Sequence, residues 1–367
     1  MKLIKFVFII IALTLTAIAQ DHIIRSLDHI QVITEDSQPL ALGAIAAAVG
    51  TYAGENGFLF KSVHGNWYYV SLDGHAIHFP LLHTIQTGRV QFEEASSFAA
   101  ASDGNDVYFM GWVDEDKKNQ CYVAAFGLDG KYHSVFKLER DGEPYYECAD
   151  FAALGNDYLI VVGSVRRKNS RPTNNEVDGF DTVSVTDLYR NDGKFIRELV
   201  LKDDLQPYHD DMDDPAKKTE ASIPAIEMDG VPWNTQLDRD AVGNVYLVRG
   251  IDNAGPTKTG MNLIYRITPS FEVKRFRLPK DVDSVSIGMK VAGSTALFTS
   301  WVQHDAAHRP HAIETLINLK TFKVIKKVEL DLEVGGAVMT FDGQTATLLT
   351  QTGDIRKPVL GMGQVKF

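Results

Sequence analysis

The strongest constraint in this chain is a recurring pair of signals: a tight polar turn, then a short strand of alternating apolar residues. Leu72-Asp73-Gly74 precedes His75 to Leu82, Leu128-Asp129-Gly130 precedes Lys131 to Leu138, and Asn191-Asp192-Gly193 precedes Lys194 to Leu201. Thr268-Pro269-Ser270 precedes Phe271 to Leu278, and Asn318-Leu319-Lys320 precedes Phe322 to Leu330. Asp-Gly and Asn-Asp-Gly supply the positive φ that tight hairpins demand. A second signal is a Gly-containing turn running into an aromatic or aliphatic strand. It occurs at Gly104 to Phe109, Gly155 to Leu159, Gly243 to Leu247, Gly293 to Phe298 and Gly343 to Leu348.

Such units have strand periodicity and almost no helical periodicity. Each reads as four antiparallel strands, A to D from the inside outward. In the fourth unit, A lies near Asn234 to Ala241, B near Asn244 to Arg249, C near Met261 to Ile267, and D at Phe271 to Leu278. A four-stranded sheet leaves two edges and two faces uncovered, and radial repetition covers them. The expected fold is therefore all-β, a six-bladed β-propeller of four-stranded antiparallel blades. Five units are nearly complete. The sixth offers A and B from Gly336 to Gln351 and one further strand from Val359 to Phe367. His22 to Ile33 belongs to no unit and alternates acceptably, so residues 20–40 are expected to supply the outer strand of the last blade and close the ring.

The run Leu237-Asp238-Arg239-Asp240-Ala241-Val242-Gly243-Asn244-Val245-Tyr246-Leu247 resembles the core of the NHL repeat, and Asn262 to Arg266 resembles its second half. Other units match mainly at the Gly-Asn and the aromatic. The resemblance implies a six-bladed NHL-like propeller and, since propellers host binding modules and enzymes alike, no particular activity.

The first nineteen residues have the form of a signal peptide. Lys2 and Lys5 form a positive n-region, Phe6 to Leu15 an apolar core too short to span a bilayer, and Ala17-Ile18-Ala19 the small residues a signal peptidase reads. Residues 20–367 are then one exported domain, periplasmic or secreted, with no transmembrane anchor after cleavage. The formal net charge of −11 and the lack of a Lys/Arg-rich stripe argue against nucleic acid as a partner. Cys121 and Cys148 are the only cysteines. They fall near the starts of strand C of blade two and strand A of blade three, on one face in neighbouring blades. An oxidising compartment permits one bridge between them; two buried thiols are the other reading.

In this topology the B–C loops and D–A crossings emerge on one face, and the longest irregular segments fall there. They are Ser164 to Asp181 with Arg166, Arg167, Lys168 and Arg171, Lys202 to Trp233, Gly250 to Gly260, and Gln303 to Pro310. Long loops gathered on one rim usually carry binding. The ligand-binding candidates are Trp233 and Asn234 with His304, His308 and His311. Trp233 offers an apolar face for stacking on a sugar or aromatic group. The three imidazoles are also the candidate ligands for a divalent metal, since borderline cations favour nitrogen donors. His304 and His308 are spaced as in H-E-x-x-H, but Asp305 follows the first His and Pro310 opposes a helix. Asp210 to Asp214 read as a solvated acidic loop, and Asp238 and Asp240 as ordinary hairpin residues. The chain contains no G-x-S-x-G elbow, P-loop or dinucleotide fingerprint that would identify catalytic residues. The leading expectation is recognition of an extracytoplasmic protein, peptide or glycan; the alternative is a metal-dependent hydrolase or lyase working in the central funnel.

Overall fold

A computed structural model describes residues 33–34, 50–54, 57–61, 67–71, 75–79, 86–87, 90–91, 97–115, 118–140, 142, 146–168, 180–199, 235–251, 261–279, 282, 286–302, 311–330, 337–354 and 357–367. Every regular element among them is a strand. The chain is an all-β six-bladed propeller.

Blade one contains β2 (Gly50–Gly54), β3 (Gly57–Lys61), β4 (Trp67–Ser71) and β5 (His75–His78), preceded by β1 (Ile33–Thr34). A small hairpin, β6 (Gln86–Thr87) and β7 (Val90–Gln91), lies in the crossing to blade two. Blade two is β8 (Ser97–Ser102), β9 (Asp106–Glu115), β10 (Lys118–Gly127) and β11 (Tyr132–Lys137). Blade three is β12 (Tyr146–Leu154), β13 (Tyr158–Lys168), β14 (Phe180–Arg190) and β15 (Phe195–Glu198). Blade four is β16 (Thr235–Arg239), β17 (Val245–Ile251), β18 (Met261–Ile267) and β19 (Val273–Arg277). Blade five is β20 (Ser286–Ala292), β21 (Thr295–Val302), β22 (His311–Asn318) and β23 (Lys323–Leu330). Blade six has three strands among the described residues: β24 (Ala337–Phe341), β25 (Thr345–Asp354) and β26 (Lys357–Lys366).

The strands named A to D in the sequence are these strands in that order, antiparallel within each blade. The inner strands β2, β8, β12, β16, β20 and β24 each lie against the next, and β24 returns to β2. The ring is thus closed at its centre by blade six packing on blade one.

The closing segment departs from expectation in the part that is described. Ile33 and Thr34 pair in parallel with His75 and Ala76 of β5, on the outer edge of blade one, and not with blade six. The physical reason is an available edge: β5 is a short outer strand whose unpaired backbone groups accept a further strand as readily as β26 does. His22 to Val32 lie outside the described residues.

The cores lie between blades. Leu159 and Val161 of β13 pack with Tyr108, Met110 and Val123 of blade two. Their neighbours Ile160 and Val162 pack toward Leu247, Val245 and Ile267 of blade four. A blade with both faces buried needs apolar residues at successive positions, hence the unbroken run Leu159-Ile160-Val161-Val162. The other seams follow suit. Trp67 and Phe79 meet Phe109 and Phe126, Ile264 meets Phe298, and Leu316 meets Val338 and Phe341. Gly193 in the outer turn of blade three has φ of 87°, and a Cβ there would fall 2.4 Å from the Lys137 carbonyl oxygen, so blade spacing itself requires glycine.

Candidate functional site

The A–B hairpins are held by a repeated aspartate. Asp103 accepts the Asn105 and Asp106 N–H groups at 2.8 and 2.7 Å, and the Tyr108 hydroxyl at 3.0 Å. Asp240 likewise accepts the Val242 and Asn244 N–H groups at 3.1 and 2.9 Å, and Asp342 those of Gln344 and Thr345 at 2.8 and 2.6 Å. A short carboxylate satisfying the turn's N–H groups is what places aspartate here. The hairpin reading therefore describes Asp240.

It does not describe Asp238. This residue stands in inner strand β16, is buried, and reaches across the seam to accept the Val291 N–H of β20 at 2.5 Å. Burial pushes its pKa up, while Lys290 and the N–H groups of Val291 and Arg239 pull it back. Lys290 of β20 feels both Asp238 and Asp150 of β12. Burial lowers the Lys290 value and the two carboxylates oppose that. Asp150 is pushed up to about 7, chiefly by burial; the Phe151 N–H at 2.8 Å and Lys290 offset part of it. Lys290 of one inner strand thus acts electrostatically on Asp150 and Asp238 of two others. Asp238 is buried, Asp150 and Lys290 are half-buried as whole residues, and burial dominates the shift of all three charged groups.

Below this cluster, Arg239 donates to the Gly155 carbonyl of blade three at 3.3 Å and lies within electrostatic reach of Asp103 and Asp240. Strands β2, β8 and β24, which complete the inner ring, contain no charged residue: Gly-Thr-Tyr-Ala-Gly, Ser-Phe-Ala-Ala-Ala-Ser and Ala-Val-Met-Thr-Phe. Among the described inner strands, the charged residues therefore stand on those of blades three to five.

The rim that carries the B–C loops is shaped by unequal strand lengths. In blade two, β8 pairs only as far as Gly111, and the outer strand reaches Cys121 through the Leu138 N–H at 2.9 Å, so Trp112 to Glu115 and Lys118 to Gln120 extend beyond both flanking strands. In blade three, β13 and β14 continue past Tyr146 through Lys168 and from Phe180. In blade six, β25 and β26 run to Asp354 and from Lys357, beyond the Ala337–Leu349 pair. The segment read as irregular from Ser164 to Asp181 is therefore shorter. Ser164 to Lys168 and Phe180 to Asp181 are strand, with Arg167 opposite Asp181 in the register. Arg166 and Lys168 complete a ladder, which satisfies backbone groups that a loop would leave to water.

Cys121 and Cys148 form a disulfide at this rim, joining blade two to blade three, and both are buried. Beside it, Trp112 stands opposite Cys121 and is 42% exposed. Of the ligand and metal candidates, Trp233, Asn234, His304 and His308 lie outside the described residues. His311 is described only by its backbone, which opens β22 opposite Val302. Among the described residues no three His, Cys, Asp or Glu side chains converge as a metal-ligand set. The axial Asp150–Asp238–Lys290 cluster and Trp112 were not among the sequence candidates. The available signal was local: Lys290 interrupts Met289 and Val291, and Asp150 interrupts Ala149 and Phe151.

No family model matches this chain, and no curated protein matches it. Solved structures do. The Dos1 propeller is similar at 9% identity over 92% of this chain and 85% of that one, with a TM-score of 0.44. TolB from Acinetobacter baumannii is similar at 8% identity over 88% of this chain, TM-score 0.41. The β-propeller domain of the Trilobed protease from Pyrococcus furiosus is similar at 10% identity over 70% of this chain, TM-score 0.36. This chain spans 64% and 63% of the last two. At such identities the likeness concerns the fold and assigns no activity.

Proposed function

We propose that this chain is an exported, NHL-like recognition propeller that engages a protein, peptide or glycan through its B–C rim, in the periplasm or outside the cell. The observation that carries this reading is the blade-two hairpin. Its Trp112–Glu115 and Lys118–Gln120 arms extend beyond the flanking strands, are fastened at their base by the Cys121–Cys148 bridge, and expose Trp112. A large aromatic held on a rigid support is the kind of group that anchors an interface at small entropic cost. A disulfide suits an oxidising compartment, in keeping with the leader-like first nineteen residues. Among the described residues no helix is long and apolar enough to cross a membrane.

The test is site-specific photo-crosslinking in the organism's envelope and medium, with the photoreactive residue at position 112 or at position 242. Val242 is 76% exposed in the A–B hairpin of blade four, on the opposite face. Adducts from position 112 alone are expected; equal adducts from both, or adducts only from 242, would reject rim recognition.

The second reading, chemistry in the central funnel, draws on the axial cluster, because carboxyl and amine groups with displaced acidities gather where chemistry is done. Elemental analysis of the purified chain tests its metal-dependent form.

A further inference from the structure

We propose that the outer edge of blade five docks on an anionic lipid surface, with Lys320, Lys323 and Lys326 as its cations and Ile325 as its apolar contact. The chain has a formal net charge of −11, yet this outermost strand, β23, reads Lys-Val-Ile-Lys-Lys-Val-Glu-Leu and follows a turn that contains Lys320. The turn is fixed in place. The Asn318 side chain accepts the Lys320 and Thr321 N–H groups at 2.8 and 3.0 Å, and Phe322 donates its N–H to the Asn318 carbonyl at 2.7 Å. Phe322 takes a φ of 53°, uncommon for a bulky side chain, and its ring stacks on Phe276 of blade four at 4.1 Å. Lys320 and Lys323 bracket that anchored ring in sequence, and both are exposed.

The strand then carries a bulge. Val324 pairs with Ile317 and Lys326 with Leu316, so Ile325 has no opposite residue on β22 and stands 53% exposed. Bulges and lysines both keep an outer strand from pairing with another chain. An exposed isoleucine among the lysines does not serve that end. It does suit the interfacial zone of a bilayer, where an apolar side chain enters the acyl boundary while lysine stems extend their ammonium groups to the headgroups.

The charge here is available. Lys274 of the adjoining β19 is taken by Glu272 at 2.8 Å, and Arg275, Lys327 and Glu329 hold interactions of their own. Lys320, Lys323 and Lys326 have no carboxylate partner among the described residues. Residues 320–326 span about 20 Å at most even when fully extended, so one flat surface can meet all three cations. Each cation at an anionic membrane surface strengthens binding by about fivefold, and the three together by about a hundredfold. The Leu319 N–H donates to the Ser294 carbonyl at 2.8 Å, which places this turn at the A–B hairpin end of blade five. The B–C rim lies at the other end of the strands and stays clear, so either reading can fail without the other.

The experiment is flotation of the full chain with large unilamellar vesicles, made either of phosphatidylcholine or of phosphatidylcholine and phosphatidylglycerol in equal parts. Binding to the anionic vesicles alone is expected, with its loss in about 1 M salt, where the screening length falls to about 3 Å. Changing Lys320, Lys323 and Lys326 together to Gln should weaken it by about a hundredfold. Ile325→Ser keeps every charge and should weaken it by about fivefold. Polyglutamate, a soluble polyanion, should compete poorly because it offers Ile325 nothing to enter. The lipid and salt comparisons on the native chain stand even if a variant fails to fold. Equal flotation with both lipids, persistence in high salt, or undiminished binding by the folded triple variant would each overturn the assignment. So would an Ile325→Ser variant that matches the native chain while polyglutamate is held as tightly as the vesicles, which would make this edge a polyanion site.

Discussion

Glu314 is a carboxyl placed where only its neutral form is comfortable, and replacing it with Gln should make the propeller more stable as pH rises. It sits in β22, is 1% exposed, and faces the seam between blades five and six, on the same face as Leu316. Its Oε2 accepts the Thr299 hydroxyl at 2.9 Å, which partly supports the charged form, but burial dominates and pushes it up to about 8 from an ordinary 4.5. The sign follows from proton counting. Below pH 4.5 both folded and unfolded chains carry the proton, and nothing is lost. Between 4.5 and 8 the unfolded chain releases it while the folded chain holds it, so stability falls with pH; above 8 the loss is complete. One pH unit is worth about 1.4 kcal/mol, which makes the penalty about 3 kcal/mol at pH 7 and about 5 kcal/mol above pH 8. The glutamine side chain of E314Q keeps an acceptor for the Thr299 hydroxyl and does not titrate. Urea melts of both proteins from pH 4.5 to 9 should show E314Q gaining on the native chain across this window, with the gap flat above pH 8. Parallel pH profiles would refute the reasoning, because the burial that raises Glu314 would then be relieved by water or an unrecognised partner.

Two further predictions concern the seam between blades two and three. Replacing Cys121 and Cys148 together by Ser should cost roughly 3.5 kcal/mol in urea melts, the chain entropy released on opening a loop with 27-residue separation; unchanged melts would mean that the crossing alone confines this segment. Arg140, in the same crossing, contacts Asp187 at 3.0 Å and Glu198 at 2.5 Å, and both Arg140 and Asp187 are buried. Arg140→Ala should destabilise by about 3–5 kcal/mol because it strands the Asp187 carboxylate, and adding Asp187→Asn should recover much of that; a double variant no better than the single one would refute this.

The blade repeat was legible because its determinants are local. Gly130 and Gly193 have the left-handed φ that their Asp-Gly turns imply, and the strands after them are β11 and β15. The length of the B–C hairpins was harder to read. Arg166-Arg167-Lys168 has the composition of a loop, and only pairing with Phe180 to Thr182 makes it a strand, a contact that spans unrelated sequence. The axial cluster was illegible for a related reason. Asp150, Asp238 and Lys290 come from three different blades and come within electrostatic reach only because the inner strands converge. Viewed singly, each is one polar residue in a short strand. Asp238 was further disguised by Asp240 two residues later, which truly belongs to the hairpin. The disulfide could be anticipated as a possibility from blade geometry. Its neighbour Trp112 could not, since a tryptophan following Met110-Gly111 in an apolar strand reads as core until the flanking strands are seen to stop short of it.

The distribution of cross-links bears on how such a rim could work. Propeller seams are held mostly by apolar contact, which is strong in sum but undirected. The seam between blades two and three carries, in addition, a covalent bridge at the rim and the Arg140 ion pairs near the outer strands. Both constraints act on two blades whose B–C hairpins project with their β9–β10 and β13–β14 ladders intact. Where the flanking strands stop, such a hairpin keeps only its own ladder within the sheet, and two-stranded ribbons are marginal by themselves. Fixing their common base limits the motion passed to their tips. A ligand meeting Trp112 would then find its position largely set in advance, so that contact area is converted to affinity with less ordering cost. By this argument the bridge should matter to association at the rim and not only to folding. Its removal should weaken a rim partner even at temperatures where the variant remains fully folded.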